Sequence, residues 1–409
     1  MTPSDVVRRT VAGSLPTLGA LRREGGGWVL GSVAIGWLLV LGTRFAVPVL
    51  VPQLKTTFGI DNATAGIAIS MTWITYALMQ FPAGMLVDRL GERGLLTASA
   101  LITAASVLAF GLAPTFVFFL FAAALFGLGT GLYGPARGTV LSTVYPRNDG
   151  AAFGLMLGAG SIGAAAFPLA VTLLTDRLDW RVAIASLAPL LLIAGASLWR
   201  AVPRREIEPD AGESGRERAR SVLGAISSRP VAVGVAAATC MLFAFQGLTA
   251  FLPTYLVATK NVSVTTATAL YALLFVSGAL CQSTAGRAAD RFGDRTVLVI
   301  VTGVSVLPLL ALPFVEDFLV LVALVVLLGI RLAIAPVTNA YVVAVLPDDV
   351  QGTAWGLLRT GFFLVGATGS TFVGALADID LFDEAFLALG AITAVAVALY
   401  AVLPPRATD

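Results

Sequence analysis

Gly84-Met85-Leu86-Val87-Asp88-Arg89-Leu90-Gly91-Glu92-Arg93 and Gly286-Arg287-Ala288-Ala289-Asp290-Arg291-Phe292-Gly293-Asp294-Arg295 share Gly, Asp, Arg, Gly and Arg at matching places, 202 residues apart. Each copy follows an apolar stretch of membrane-crossing length. A second landmark repeats at nearly the same offset. Pro135 and Pro146, near the end of the fourth apolar stretch, recur 201 residues on as Pro336 and Pro347, near the end of the tenth. Two independent landmarks at one offset indicate that the chain is a duplicated unit.

Outward from these loops, the chain divides into apolar runs. A membrane helix needs about 20 apolar residues. Twelve stretches meet that length, at 28–51, 63–87, 95–113, 115–144, 151–175, 181–200, 231–258, 266–289, 296–315, 317–346, 352–376 and 382–403. Short polar segments such as Pro146-Arg147-Asn148-Asp149-Gly150 and Pro347-Asp348-Asp349 separate them. Only 12% of the 409 residues are charged and 57% are apolar, whereas a soluble domain carries about 25% charged residues. Lipid must therefore cover most of the surface. The expected architecture is an all-α polytopic membrane protein of two six-helix bundles, 28–200 and 230–403. A charged linker, 201–229, joins them and is too polar to enter lipid. Tails are expected at 1–27 and 404–409.

Eighteen of the 26 Lys and Arg residues fall in tails and loops on the side that carries the repeated decapeptides, and four (Lys55, Arg177, Arg181 and Lys260) on the other. The positive-inside rule then puts both termini in the cytosol of a plasma-membrane protein. The amino-terminal tail, with Arg8, Arg9, Arg22 and Arg23 and no short apolar core, reads as a cytosolic tail and not as a signal peptide. Cys240 and Cys281 lie in apolar runs and read as packing residues. With no histidine, the commonest metal ligand is missing. Nothing in the chain resembles a nucleophile–base pair, a metal cluster or a phosphate-binding loop. No enzyme activity, cofactor or nucleic-acid partner is expected, and the protein is expected to act as a monomer.

The two Gly-x-x-x-Asp-Arg-x-Gly-x-Arg loops, together with the run Gly127-Leu128-Gly129-Thr130-Gly131 before Pro135, resemble the major facilitator superfamily over residues 28–403. The resemblance implies pseudo-two-fold symmetry, a cavity lined by helices 1, 4, 7 and 10, and solute transport by alternating access. It also implies that the loops, with Gly84, Asp88, Arg89, Gly91 and Arg93 in one copy and Gly286, Asp290, Arg291, Gly293 and Arg295 in the other, gate the cytosolic side. Two features depart from the drug/proton antiporters of that family. Their arginine early in helix 4 is missing, since Ala122 to Leu125 occupy the stretch, and their helix-5 motif is only echoed by Gly158, Gly160, Gly163 and Pro168. Physically, Gly84 would let helix ends approach closely, Gly91 would allow a turn that strains an L-residue, and Asp88 would accept hydrogen bonds from a neighbouring helix start.

The charges inside the membrane bear on the solute. The 24 acidic residues lie in tails, loops or helix ends, whereas Arg44, Arg137, Arg331 and Arg359 lie within the apolar stretches. Each costs about 2.5–3.5 kcal/mol to insert, and arginine cannot escape by losing its proton. Arg44 and Arg331, about midway along helices 1 and 10, are the best candidates to bind a small anion between the halves. Arg137 and Tyr133 on helix 4, Gln246 on helix 7, and Thr338 and Asn339 on helix 10 join them as candidate binding residues. A guanidinium grips carboxylate or phosphate through two parallel hydrogen bonds. The competing reading is structural: Pro48, Pro135 and Pro336 free backbone carbonyls that an arginine can satisfy. Arg359, nearer the cytosolic end, is expected to pair with Asp88 as part of the gate. Trp37, Trp73, Tyr76 and Trp355 read as packing or interfacial residues. Without intramembrane Asp, Glu or His, anion exchange, uniport or symport fits better than a carboxylate proton relay. The alternative is an exporter of drugs or neutral hydrophobic compounds.

Overall fold

Five helices begin on a short polar side chain that takes up one of the free N–H groups of the first turn. Asp61 accepts from the Thr64 N–H at 2.8 Å, Thr115 from Phe118 at 3.3 Å, Asp179 from Arg181 at 2.8 Å, Ser263 from Thr266 at 3.1 Å and Asp317 from Val320 at 3.0 Å. Carboxylates excluded from the apolar interior are stabilised there, beside the positive ends of helices. All five caps lie at one end of the bundle, called here the capped end. The other end carries the Gly-x-x-x-Asp-Arg loops and is called the basic end.

The protein is described by a computed structural model covering residues 27–204, 224, 226–347 and 351–404, less the side chains of Asp88 and Ser283. The expected amino-terminal tail, most of the linker and most of the carboxyl tail lie outside the described residues. The helices are α1 (Trp28–Phe58, tightened to a 3-10 turn at Pro48–Leu50), α2 (62–90), α3 (92–112), α4 (Phe116–Val144), α5 (Asp149–Thr175), α6 (Trp180–Ala201), α7 (Arg229–Lys260), α8 (Val264–Phe292), α9 (Asp294–Phe314), α10 (Phe318–Val345), α11 (Gln351–Ala377) and α12 (Phe382–Ala401). Eleven of them are long and apolar enough to cross a membrane among the described residues. The remaining one, α2, carries Ser70, Thr72, Thr75 and Gln80, which are buried inside the protein.

The backbone from Asn62 to Leu112 is one hydrogen-bonded run that turns at Gly91, where φ is +71°, and α8 passes to α9 through Gly293 at φ +80°. A Cβ at either place would crowd the backbone. The expected single helix over 317–346 is instead broken: α10 runs as α-helix over Phe318–Gly329, as 3-10 over Ile330–Ala333, and as α-helix again over Ile334–Val345. Gly329 lies where α10 crosses α8, so near the Leu274 carbonyl that an ideal Cβ would lie 2.5 Å from it. Arg331 sits on the tightened turn that follows.

The same three packings recur in each half. α1 lies on α5 and α7 on α11; α2 lies on α4 and α8 on α10; α3 lies on α6 and α9 on α12. The chain is thus an all-α membrane protein of two six-helix bundles. The halves meet along α2 with α11 and along α5 with α8. Most polar contacts between them lie towards the capped end. Asp378, past the end of α11, accepts from the Asn62 N–H at 2.8 Å, the Ala63 N–H at 2.7 Å and the Asn62 side-chain amide at 2.7 Å, and so caps α2 across the interface. Ser70 bonds the Ala367 carbonyl and the Ser370 and Thr371 hydroxyls, and Thr172 meets Thr268 at 3.1 Å.

Replacing the Asp378 carboxylate should therefore weaken this seal in particular. Asp378→Ala is expected to cost about 2 kcal/mol, the size of a lost charged cap, seen as a lower unfolding temperature in detergent. Asp378→Asn, which keeps one acceptor, should lose less.

Candidate functional site

Between the halves, on the basic-end side of that seal, lies a cavity of about 280 Å³, close to the lower limit of roughly 300 Å³ for ligand pockets. The basic charges within it are contributed by α1, α4, α10 and α11. Arg44 of α1 is 4% exposed, and its guanidinium lies 4.5 Å from the Trp73 ring and 4.4 Å from the Tyr76 ring, both on α2. Arg137 of α4 lies 3.6 Å from the Trp37 ring. Arg359 of α11 reaches the Tyr76 hydroxyl at 3.5 Å, and its guanidinium lies 5.5 Å from the Phe363 ring. Arg44 and Arg359 thus both meet Tyr76, and Arg137, on Trp37, adds a third positive charge to the same cavity wall.

Aromatic faces offset part of the cost of these charges, about 0.5–2 kcal/mol for each stacked cation, but they donate no acceptor oxygens. Nε and Nη2 of Arg44 and Nε of Arg359 have no hydrogen-bond partner. Arg331, on the α10 turn, is 3% exposed with Nε, Nη1 and Nη2 all unpartnered. No carboxylate is found among the described residues that line the cavity. An anion is the chemical complement of such a space, supplying the acceptors and opposite charge that the protein does not.

The other expected binding residues divide. Thr338 and Asn339 line the cavity, with the Thr338 hydroxyl 2.7 Å from that of Tyr400. Tyr133 does not line it: its hydroxyl donates to the Val33 carbonyl at 2.7 Å and its ring stacks on Trp37 at 5.8 Å, so it backs the ring on which Arg137 rests. Gln246, 1% exposed and without partners for its amide, lies outside the cavity wall. Conversely, Trp37, Trp73 and Tyr76, read as packing residues, form its aromatic face, and α2, α5, α8 and α11 line it beside α1, α4, α7 and α10. The aromatic spacing carried a hint of this, because Trp73 and Tyr76 lie one turn apart on the least apolar helix.

Arg359 was expected at the gate beside Asp88. It lies in the cavity wall, and the Asp88 side chain is outside the described residues. At the basic end Arg89, Asp290, Arg291 and Arg295 are exposed, while Arg93 lies 4.1 Å from the Trp199 ring. The expected close helix approach at Gly84 is absent, since a Cβ built there, or at Gly286, would meet nothing within 4 Å. The cavity lies on this side of the seal.

A sequence model described as Major Facilitator Superfamily matches residues 33–282 and 256–409. The chain belongs to the major facilitator superfamily. It is thus a secondary transporter of small solutes and a multi-pass membrane protein. Among superfamily members, it is 27% identical over 298 residues to the multidrug resistance protein MdtG of Citrobacter koseri, covering 70% of this chain and 73% of that protein. It is 33% identical over 164 residues to the human voltage-gated purine nucleotide uniporter, covering 39% of this chain and 37% of that one. The fold matches a solved bacterial homologue of the human lysosomal transporter Spinster in an inward-facing, unoccupied conformation. That match has a TM-score of 0.77 at 16% identity, over 92% of this chain and 96% of that one.

Proposed function

We propose that this superfamily member carries an organic anion, a carboxylate or a phosphate compound, across the plasma membrane by alternating access. One observation carries the reading: Arg44, Arg137 and Arg359 line one cavity, two of them against Tyr76, with no carboxylate among the described residues lining it. An anion entering from the basic end, whose excess of Lys and Arg supports a cytosolic location together with both termini, relieves the repulsion among the three. Because Arg44 and Arg137 belong to one half and Arg359 to the other, bound charge also draws the halves together around it. Occupancy is thereby coupled to the rocking motion. The carrier works as a monomer and as an exchanger, uniporter or symporter. The human relative, a purine nucleotide uniporter, likewise carries an anionic solute.

The test is flux. Purified protein in proteoliposomes should move labelled carboxylates or phosphate esters, and Arg359→Gln should reduce the rate at least about tenfold, the effect of one lost charged hydrogen bond. Wild-type flux of every accepted anion in that variant would overturn the reading. A second reading, export of hydrophobic drugs, is favoured by the aromatic face of Trp37 and Trp73 and by the likeness to MdtG. It expects efflux of a cationic dye, which the arginine cluster should repel.

A further inference from the structure

The four cavity arginines are unevenly placed. Arg44 and Arg359 lie against Tyr76 and Arg137 lies on Trp37, whereas Arg331 sits on the α10 turn, stacked on none of these rings and with Nε, Nη1 and Nη2 unpartnered. The cavity therefore has two basic poles. The first is the cluster around Tyr76. The second is Arg331 in the carboxyl-terminal half, with Thr338 and Asn339 on the same helix and Gln282 bonded to the carbonyl of the next residue, Leu332.

The rest of the cavity wall is largely apolar. Phe45 of α1 lies 6.4 Å from Trp73, 6.2 Å from Phe245 of α7 and 4.5 Å from Phe275 of α8, ring centre to ring centre, so aromatic surface runs from the first pole into the opposite half. Met241 and Leu242 continue it. Polar groups near the second pole are partly committed already: the Thr338 hydroxyl to Tyr400, and the Gln282 amide to the Leu332 carbonyl at 3.5 Å. A hydroxyl-rich body, as of a sugar, would give up its water here without replacement bonds. A hydrocarbon chain or a single aromatic ring would gain from burial.

We propose that the solute is an elongated organic dianion with an apolar body, held at one end by Arg44, Arg137 and Arg359 and at the other by Arg331. The proposal rests on the anion reading of the same cavity and narrows it. The buried, unpartnered Arg331 guanidinium is the observation that requires a second negative group. A short anion satisfies one pole and leaves the other charge stranded.

A ladder of two-headed probes tests this on the purified full chain in detergent, read by calorimetry and by thermal shift. The probes are succinate, adipate, suberate and sebacate with the matching alkane diphosphonates, set against monocarboxylates and monophosphonates of equal chain length. The expected result is a length optimum at which the two-headed probe binds at least tenfold tighter than its one-headed counterpart, or about 1.4 kcal/mol. Arg331→Gln, and Arg331→Met as a variant of matched bulk, should erase that advantage, so that within each variant two-headed and one-headed probes of equal length bind alike. Arg44→Gln should weaken both kinds. If no two-headed probe outbinds its counterpart, or if the Arg331 variants keep the advantage, the two-ended solute is refuted, while one-headed binding that is lost in Arg44→Gln leaves the anion reading standing. If no probe of either kind binds wild type, both readings fall.

Discussion

Arg44→Gln is expected to weaken anion binding about ten- to a hundredfold and, in the empty protein, to raise the unfolding temperature. The first effect follows from the lost bonds: a hydrogen bond to a charged group is worth about 1.5–3 kcal/mol, and each 1.4 kcal/mol is a factor of ten. The second follows from what the guanidinium lacks. Arg44 is 4% exposed, stacked against Trp73 and Tyr76, with Nε and Nη2 unpartnered and Arg359 repelling it. Removing such a charge relieves a desolvation cost that its aromatic neighbours offset only in part. Opposite signs for binding and stability mark a group kept for its ligand; a structural arginine would lose both together. Arg44→Lys keeps the charge but not the planar fork or the stacking, so it should recover only part of the binding. Flux in proteoliposomes, titration calorimetry and thermal unfolding of the three proteins decide the matter. Wild-type binding of all anions by Arg44→Gln would exclude Arg44 as a ligand.

Gly374→Leu should stop transport by a different route. Gly374, near the capped end of α11, packs so closely on the start of α2 that a Cβ would run into the Asn62 carbonyl, and a Cβ on nearby Gly66 would lie 2.7 Å from the Ser370 carbonyl. Both obstacles are backbone, so no rotamer change relieves them, and the halves must part where Asp378 and Ser70 now join them. Overpacking of this kind costs about 1–3 kcal/mol, enough to move the balance about ten- to a hundredfold away from the sealed arrangement. Flux should collapse while helical content by circular dichroism stays that of wild type. A cysteine placed at Ser161, in a background lacking Cys240 and Cys281, should become open to labelling from the capped side. Normal flux with no new labelling would show that the α2–α11 contact is not part of the cycle.

The two predictions touch different parts of one device. The arginine cluster is assembled from both halves, and the Asp378 cap joins the halves beyond it. In this family of carriers the solute must break one set of contacts between halves and make another. On the proposed reading, a charged solute gripped by Arg44 and Arg359 would supply energy across the same α2–α11 interface that Gly66 and Gly374 hold tight.

Much of this was legible along the chain because it depends on local composition. Apolar runs of membrane length mark the spans, and polar punctuation marks their ends. The repeated decapeptides and prolines mark the duplication, and intramembrane arginines stand out because lipid tolerates so few. These features predict the superfamily fold that the structure and the family match bear out. The assignment of side chains to the cavity was less legible. Tyr133 and Gln246 were expected there and face elsewhere, while Arg359, Trp73 and Tyr76 were expected elsewhere and line it.

The reason is geometric. Hydropathy along a span reports that a helix is in the membrane, and an apolar helix in an apolar solvent has almost no moment to report how it is turned. Rotation about the axis is set by close packing: Gly329 pressed onto α8, Tyr133 drawn to the Val33 carbonyl, Gly374 against Asn62. Sequence alone therefore determined the spans, their pairing into halves and the excess of buried positive charge. Only the tertiary structure decided that two of those charges meet at Tyr76, a third rests on Trp37 and Arg331 stacks on neither, because that depends on the register and rotation of helices from distant parts of the chain.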